Sequence, residues 1–336
     1  MNLVVSSAPH IRSPRTTKHI MLDVLIALLP AAVAGVVYFG WVAFVTILLA
    51  MFTAALTEFC WYIVEHKIWR SGKETFTAFF RQFDYTSLVT GLLLALVCPA
   101  SLEALYMPVL GAVFAVAVVK MLFGGTGKNI VNPAIAGRIF LFISFTAMVT
   151  YPDANFGPIL SYADGALTTG ATQLGNFLNG TAMISDLDLF LGTGVAGCIG
   201  ETCKLALLVG YLYLCVRGVI KWYLPLLYIV VCGLFAVCLE GFDFTMFLPS
   251  ILSGGLFLGA IFMATDYVTS PKSKLGNIIY FIALGLLTAG LRKATGIEVV
   301  SFCILLMNFI VFLIDLAIRP RPFGYVRQKK AKEAKK

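Results

Sequence analysis

The sequence predicts an all-α polytopic membrane protein with about ten transmembrane helices. The prediction rests on the apolar composition, the spacing of apolar segments and the placement of the charges. Hydrophobic residues make up 60% of the chain and charged residues 12%, about half of the roughly 25% found in soluble domains. The mean hydropathy is +0.91. The chain has too few polar residues to form the surface of a water-soluble protein of this size. Lipid is therefore the expected solvent.

Ten segments are apolar enough to cross a bilayer as helices, which takes about 20 residues each. In order they are 20–39, 42–63, 85–99, 105–122, 134–150, 195–216, 222–239, 246–264, 276–291 and 298–318. The predicted organisation is a first five-helix half (1–150), an outward-facing loop (151–188), a second five-helix half (189–318) and a basic cytoplasmic tail (319–336).

The basic residues predict the orientation. With a cytoplasmic N-terminus, all of the 25 Lys and Arg residues except Lys204, Arg292 and Lys293 fall in or beside predicted cytoplasmic segments, and 151–188 contains no Lys or Arg. This bias is the positive-inside pattern, so both termini are predicted to be cytoplasmic. The net charge of +8 forms no basic stripe with interleaved aromatic residues, so nucleic acid is not an expected partner.

Two segments resemble each other and suggest an internal repeat. They are GGTGKNIVNPAIAGRIFL (124–141) and MATDYVTSPKSKLGNIIYF (263–281). In each, a Thr precedes a Gly by eleven residues with a Pro between them (Thr126 and Gly137; Thr265 and Gly276). Five helices per half would make the repeat an inverted one. The charges nevertheless assign both segments to the cytoplasmic side, so the pair is either partly re-entrant or alike only locally.

The eight cysteines and three histidines form no metal-binding pattern. No CxxC pair occurs, and the histidines all lie in the first 66 residues. The cysteines are expected to be small buried apolar side chains. Cys198 and Cys203, in CIGETC, are the one close pair that could join cysteines of another subunit in an iron–sulfur site. No metal site and no catalytic side chain is predicted in the chain itself.

The predicted outer loop contains DGALTTGATQLGN, residues 164–176. Here Thr172 follows the small residues Gly170 and Ala171, so a modifying enzyme could close its active site over the Thr172 hydroxyl. The alternative is an ordinary Thr- and Gly-rich loop, because TGAT alone is a short and common pattern.

Irregular polar backbone interrupts the apolar spans at two places. GGTG and NIVNP fall in 124–133, and a second break includes Thr265 and Asp266. Such backbone is stable at membrane depth only where protein covers it or where it lines a cavity. Thr126 and Asn132 with Thr265 and Asp266 are therefore predicted to line a site for a flat ligand or an ion. The alternative is a pair of plain cytoplasmic turns.

Glu201 and Lys204 are charged residues inside a predicted span. They are three residues apart, so on a helix they would share a face and neutralise each other. Intramembrane charges often mark functional sites, although a purely structural pair fits the sequence equally well.

Several motifs occur in a fixed order along nearly the whole chain. They are SSAPHIRSPRTTKHIMLDVLIALLP, GGTGKNIVNPAIAGRIF, the TGAT loop, FMATDYVTSP and the closing RPRPFGY. Together they resemble the NqrB/RnfD family, which contains the RnfD component of the Rnf electron-transport complex and the NqrB component of the sodium-translocating NADH:quinone reductase. The order of several motifs is far more specific than any one of them.

The resemblance implies two flavins. FMN would be attached through a phosphoester to the last threonine of the S/T-G-A-T motif, here Thr172, by a flavin transferase that uses FAD on the outer face. A non-covalent riboflavin would lie in the membrane domain, and the breaks at Thr126, Asn132, Thr265 and Asp266 are predicted to line either its site or an ion pathway. The implied fold has two five-helix halves, as in urea transporters.

The resemblance also implies the function. The chain would be a subunit of an ion-translocating ferredoxin:NAD⁺ oxidoreductase in the inner membrane, with other Rnf subunits and membrane lipid as partners. Electron transfer between ferredoxin and NAD⁺ would drive Na⁺ or H⁺ movement. The alternatives are a small-solute channel or permease on a similar helical frame, and a membrane scaffold without a redox role. Composition and topology fit all three interpretations, and only the TGAT loop separates them.

Overall fold

A computed structural model describes residues 15–66, 72–101, 105–149, 151–152 and 185–318, without the side chains of 66, 72–75 and 149. Every regular element in these residues is a helix, which confirms the predicted all-α class. Most of the predicted outer loop, including Thr172, and the basic tail lie outside the described residues.

The described helices are numbered in chain order. They are α1 (Thr17–His66), α2 (Gly72–Gln82), α3 (Thr86–Leu96), α4 (Tyr106–Met121), α5 (Pro133–Ser144), α6 (Asp186–Leu191), α7 (Lys204–Val216), α8 (Tyr223–Leu239), α9 (Phe247–Leu252), α10 (Leu256–Met263), α11 (Lys274–Thr295) and α12 (Val300–Ala317). The ends of α4 and α10 are π-helical, over Phe114–Met121 and Gly259–Met263.

Helix α1 consists of two membrane-length arms. Its 50 residues would extend about 75 Å as one straight helix, far more than the roughly 30 Å of a bilayer's hydrocarbon core. The backbone leaves the helix at Gly40, where φ is 69° and ψ is −155°. The two arms correspond to the predicted spans 20–39 and 42–63.

The helix lengths support a multi-pass membrane protein. Among the described residues, α1, α11 and α12 are long and apolar enough to cross a membrane. A fourth candidate span is the pair Phe244–Leu252 and Leu256–Met263, which is bent by 69°. Helices α3, α4, α5, α7 and α8 are shorter apolar helices. The count of ten spans and the inverted repeat stay predictions.

The predicted span 195–216 was wrong over residues 195–203, because helix α7 begins only at Lys204. The residues before it run back along the end of α3: Ile199 N–H donates to the Cys98 carbonyl (3.2 Å) and Gly200 N–H to the Leu96 carbonyl (2.7 Å). The end of a helix leaves carbonyls without intrahelical partners, and this segment satisfies them. A buried apolar segment of this kind cannot be told from a span by hydropathy alone.

The close contact between α1 and α7 depends on Gly210. A Cβ at this position would overlap the carbonyl oxygen of Ala27 on α1 and lie 3.0 Å from Phe262 Cζ. Small residues allow membrane helices to approach in this way. The absence of a side chain at Gly210 therefore sets the distance between the two helices.

Gly210→Ala is expected to lower the thermal stability of the protein in detergent, because the added methyl group forces α7 away from α1. Overpacking of this kind costs about 1–3 kcal/mol. The measurement is the apparent melting temperature of the purified protein. The matched control is Gly290→Ala on α11, where the nearest atom to a Cβ would be Phe235 Cε1 at 3.8 Å. Equal melting temperatures for the two variants would contradict the close-contact argument.

Candidate functional site

Two breaks in the helical frame meet at one end of the bundle. The first break is 122–132, between α4 and α5, and the second is 264–273, between α10 and α11. Each follows π-helical turns, which often occur at functional sites. Asn132 Nδ2 donates to the Met263 carbonyl (3.4 Å). The two segments that resemble each other in sequence are therefore neighbours in space.

Asn308 on α12 holds the two breaks together. The side chain is buried. In the amide orientation that satisfies both of its ends, the nitrogen donates to the Thr269 carbonyl (3.2 Å) and the oxygen accepts from the Asn132 N–H (3.1 Å). The Tyr280 hydroxyl lies 3.0 Å from the same amide. Because a buried amide must find partners for its polar atoms, these bonds determine how the two breaks sit relative to each other.

The GGTG turn in the first break needs its glycines for backbone conformation. Gly124, Gly125 and Gly127 have φ values of 102°, 85° and 85°, which side-chain-bearing residues rarely adopt. A Cβ at Gly125 or Gly127 would meet no atom within 4 Å, so crowding is not the reason for the glycines. The turn places Thr126 at an exposed position between them.

A largely apolar cavity lies between the two breaks and helices α1, α3 and α7. Its apolar walls include Met21, Val24, Val89, Leu93, Leu214, Ile261 and Phe262. Its polar lining consists of Thr86, Thr90, Lys120, Thr126, Asn129, Asn132, Thr265, Asp266 and Tyr267. Thr126 is exposed, whereas Lys120, Asn129 and Asn132 are buried. The cavity therefore opens at the GGTG turn and extends inward to buried polar groups.

Lys120 is the cationic residue in the wall of this cavity. Its ammonium donates to Glu58 Oε1 (3.0 Å) and to Thr86 Oγ1 (2.5 Å), and Thr86 Oγ1 lies 3.2 Å from Thr126 Oγ1. The Lys120 side chain is 3% exposed and that of Glu58 13%. A lysine ammonium has three hydrogens, so two serve the protein and one remains for a ligand.

Asp84, just before α3, completes the polar network of the cavity. Its Oδ1 accepts hydrogen bonds from the Thr86 hydroxyl (2.6 Å) and the Thr86 N–H (3.1 Å). Burial acts to raise the pKa of this carboxyl, but the Thr86 hydrogen bonds and the charge of Lys120 outweigh it and lower the pKa below its ordinary value. The ionised Asp84 thus orients the Thr86 hydroxyl so that its oxygen accepts from Lys120.

All four predicted residues of the two breaks line this cavity. Asn132 is also the N-cap of α5, where its side chain accepts from the Ala134 N–H (3.0 Å). The Thr265 hydroxyl donates to the Ile261 carbonyl (2.6 Å). The Asp266 carboxylate accepts from the Val268 N–H and the Thr269 hydroxyl. These residues therefore also stabilise the breaks. The other predicted site residues, Gly170, Ala171 and Thr172, lie outside the described residues.

Lys120 and Arg138, which were counted among the charges in or beside the predicted cytoplasmic segments, lie inside the protein. Both are buried, with 2% and 5% exposure. Arg138, on α5, donates from Nη1 to Ser301 Oγ on α12 (2.9 Å). One signal was available in the sequence, because each charge stands in an apolar run (FAVAVVKMLF and AIAGRIFLF). Charges in such runs are typically buried against protein.

The predicted pairing of Glu201 with Lys204 was wrong in its geometry. Lys204 Nζ donates to the main-chain carbonyls of Glu201 (2.6 Å) and Thr202 (3.4 Å). The Glu201 carboxylate instead accepts from the Cys198 N–H (3.0 Å). No salt bridge joins the two side chains in the part of the chain that the structure describes. The reason is that Glu201 precedes α7, so the two residues do not share a helix face.

Cys198 and Cys203 lie inside the protein. Both are buried, and Cys198 Sγ lies 3.9 Å from Arg138 Nη2. Cys98, Cys232 and Cys303 are buried as well, whereas Cys60 and Cys238 are exposed. The interpretation as small buried side chains is therefore confirmed for five of the eight cysteines.

Comparison with known proteins gives the family. The model of the NQR2, RnfD, RnfE family matches residues 4–324. The chain belongs to this family. It is 40% identical to the D subunit of the Na(+)-translocating ferredoxin:NAD(+) oxidoreductase complex of Acetobacterium woodii, over 99% of both chains. It is 37% identical to the D subunit of the proton-translocating complex of Clostridium ljungdahlii, over 95% of this chain and 96% of that protein.

A third relative is the D subunit of the ion-translocating oxidoreductase complex of Stutzerimonas stutzeri, which is 35% identical over 91% of both chains. The names of the relatives in this family differ in the coupling ion. Family membership confirms the resemblance on which the sequence analysis relied.

Proposed function

We propose that this chain is the D subunit of an ion-translocating ferredoxin:NAD⁺ oxidoreductase complex. The observation that carries the proposal is full-length similarity to D subunits, 40% identity over 99% of the chain. Ferredoxin-dependent NAD⁺ reduction by the complex purified through this protein is the direct test. A purified complex without this activity that still moved a small solute would favour the permease alternative instead.

Within this complex the chain would be a flavoprotein with two flavins. The covalent one is FMN on Thr172, in the TGAT loop between the two halves. A bound isoalloxazine would supply the redox chemistry, while the protein supplies position and electrostatics. Maturation then requires a flavin transferase, and assembly requires the other Rnf subunits. The basic residues support an inner-membrane location with both termini cytoplasmic and the loop outside.

The second flavin is a non-covalent riboflavin in the cavity between the two breaks. An isoalloxazine needs apolar walls and a few donors and acceptors at its polar edge. The cavity has both, because Val89, Leu93 and Phe262 give apolar walls, and Lys120 and Asn132 give buried donors. The residues present therefore fit the group. Lys120 would place positive charge beside a reduced ring, and the buried walls would keep water from it.

Thr126→Leu together with Asn132→Leu is expected to reduce the riboflavin content of the purified complex several-fold, because polar groups at the mouth and in the interior of the cavity are lost. Flavins extracted without hydrolysis are separated and quantified by fluorescence. Asn132→Ser is the matched control, since serine retains an N-cap for α5.

Asp266→Asn is expected to impair ion transport more than flavin content. Unchanged riboflavin and transport in all variants would reduce both breaks to structural turns.

A further inference from the structure

A second group of buried charges lies away from the cavity, around the bend between α9 and α10. Its members are Arg138 on α5, Glu201 and Lys204 at the start of α7, and Arg292 and Glu298 near the end of α11. Lys204 is separated by about 15 Å of helix from Leu214 on α7, which lines the cavity. This group is therefore distinct from the proposed riboflavin site.

Arg292 and Glu298 form a closed pair within this group. Arg292 Nη2 contacts both carboxylate oxygens of Glu298, at 3.2 and 3.0 Å. The same guanidinium donates to the carbonyls of Ser250 and Ser253, at the bend. The positive and negative charges of this pair cancel, which leaves Arg138, Lys204 and Glu201 with one excess positive charge.

Glu201 has a carboxylate oxygen without a partner. The residue is 6% exposed, and Oε2 has no hydrogen bond among the described residues. A Cβ at Gly255 would lie 2.7 Å from this oxygen and 3.8 Å from Arg138 Nη1. The missing side chain at Gly255 therefore leaves space between the Arg138 guanidinium and the free Glu201 oxygen. Burying an unpaired carboxylate oxygen destabilises the folded protein. A chemical role for this oxygen would account for the arrangement.

The site suits a proton and does not suit a metal cation. A cation such as Na⁺ would need several oxygen ligands at once. Here the Ser250 and Ser253 carbonyls accept from Arg292, and the Glu201 and Thr202 carbonyls accept from Lys204. Among the side-chain oxygens of this described cluster, only Glu201 Oε2 and Thr202 Oγ1 remain without partners, and Arg292 Nε also has none. Two oxygens beside two cationic side chains can hold a proton but cannot coordinate a metal ion.

Lys204 can take part in the same protonation. It is 1% exposed, and its two acceptors are main-chain carbonyls. A neutral amine has two hydrogens, so these carbonyls match it as well as they match two of the three ammonium hydrogens. Loss of a proton from Lys204 would also remove the excess positive charge of the cluster.

We propose that Glu201 and Lys204 form a proton-carrying pair within this second group of buried charges, away from the cavity. When Lys204 releases a proton and the Glu201 carboxylate takes one up, an amine and a carboxylic acid result, and the total charge of the pair is unchanged. The free Oε2 beside Gly255 is the atom that receives the proton. The proposal rests on the function proposed above, because the pair would serve ion translocation by the complex.

The other titratable or charged side chains with an electrostatic influence on this pair come from several elements. Besides Cys198 they are Arg138, Tyr151, Cys203, Arg292 and Glu298. Of these, Arg138 and Arg292 carry positive charge and Glu298 carries negative charge. The proton is thus shared in a cluster whose fixed charges nearly balance.

The test uses the whole complex in proteoliposomes with ferredoxin-driven NAD⁺ reduction. Lys204→Arg keeps the charge but cannot release a proton near neutral pH. Lys204→Arg is expected to lower the number of ions transported per NADH by about a hundredfold, which is the loss typical of removing a positioned acid or base. Its transport should be no higher than that of Lys204→Met. Transport by Lys204→Arg at the normal rate would overturn the proposal, since a merely structural charge is restored by arginine.

Two further measurements keep the proposal testable if the lysine variants do not assemble. Gly255→Ala is expected to impair transport because its methyl group presses on Glu201 Oε2. The φ of −86° at this position is one that alanine adopts, and Gly290→Ala is the control that should leave transport unchanged.

Infrared titration of the wild-type complex should show a carboxylic-acid band that is absent in Glu201→Gln. The same band in both proteins would overturn the assignment. Loss of NAD⁺ reduction in the wild type would instead contradict the function proposed above.

Discussion

Thr172→Ala is expected to abolish the covalent flavin that we propose for this protein. The phosphoester would form on the threonine hydroxyl, and alanine offers no oxygen to accept the FMN. The measurement is the ultraviolet fluorescence of the protein on a denaturing gel, after coexpression with the flavin transferase. Because a covalent bond survives denaturation and a bound riboflavin does not, the fluorescent band reports on the Thr172 site alone. The expected change is complete loss of fluorescence.

Thr168→Ala is the control for this experiment, since Thr168 lies in the same loop but outside the TGAT motif. This variant should retain a fluorescent band of normal intensity. Western detection of the protein confirms equal loading of both variants. A persistent band in Thr172→Ala would contradict the assignment and would direct attention to the other hydroxyls of the loop.

Arg292→Met is expected to destabilise the protein more than any other single change considered. Arg292 is buried and Glu298 nearly so, with side chains 5% and 9% exposed. Removing the guanidinium leaves the Glu298 carboxylate without its partner, and leaves the Ser250 and Ser253 carbonyls without their donor. Breaking a buried pair in this way costs about 3–5 kcal/mol. The measurement is the apparent melting temperature in detergent, together with the yield of folded protein.

The neighbouring residue supplies a matched control. Lys293 pairs with Glu240 at the surface, where the two side chains are 46% and 29% exposed. Lys293→Met should therefore change stability by no more than about 1 kcal/mol. The double variant Arg292→Met with Glu298→Gln should recover part of the loss, because the buried charge is removed with its partner. Similar melting temperatures for Arg292→Met and Lys293→Met would show that burial does not determine the strength of these pairs.

Hydropathy alone predicted the helical class and most helix positions. The predicted spans 222–239 and 298–318 agree closely with α8 (Tyr223–Leu239) and α12 (Val300–Ala317). The reason is that each is a continuous apolar run bounded by polar residues, and backbone groups in lipid must bond within the helix. Helix boundaries failed where an apolar segment packs against protein instead of lipid, as in the residues before Lys204.

The motifs also predicted which residues line the cavity. Thr126 and Thr265 were selected as irregular polar positions between apolar spans, and both line it. Local sequence predicts where a helix breaks, because glycine, asparagine and proline disfavour its continuation. It does not predict which breaks meet. That contact depends on Asn308, which lies 176 positions after Asn132 along the chain.

The sequence by itself therefore determined the membrane class and the two breaks, because composition and local pattern reflect the solvent and the backbone conformation. The tertiary structure decided the rest. It showed that Lys120 faces Glu58 and Thr86 in the wall of a cavity, and that Glu201 has a free oxygen while Lys204 donates to main-chain carbonyls. The physical reason is that the environment of a charge in a membrane protein is set by distant helices packed around it, and no local pattern contains that information.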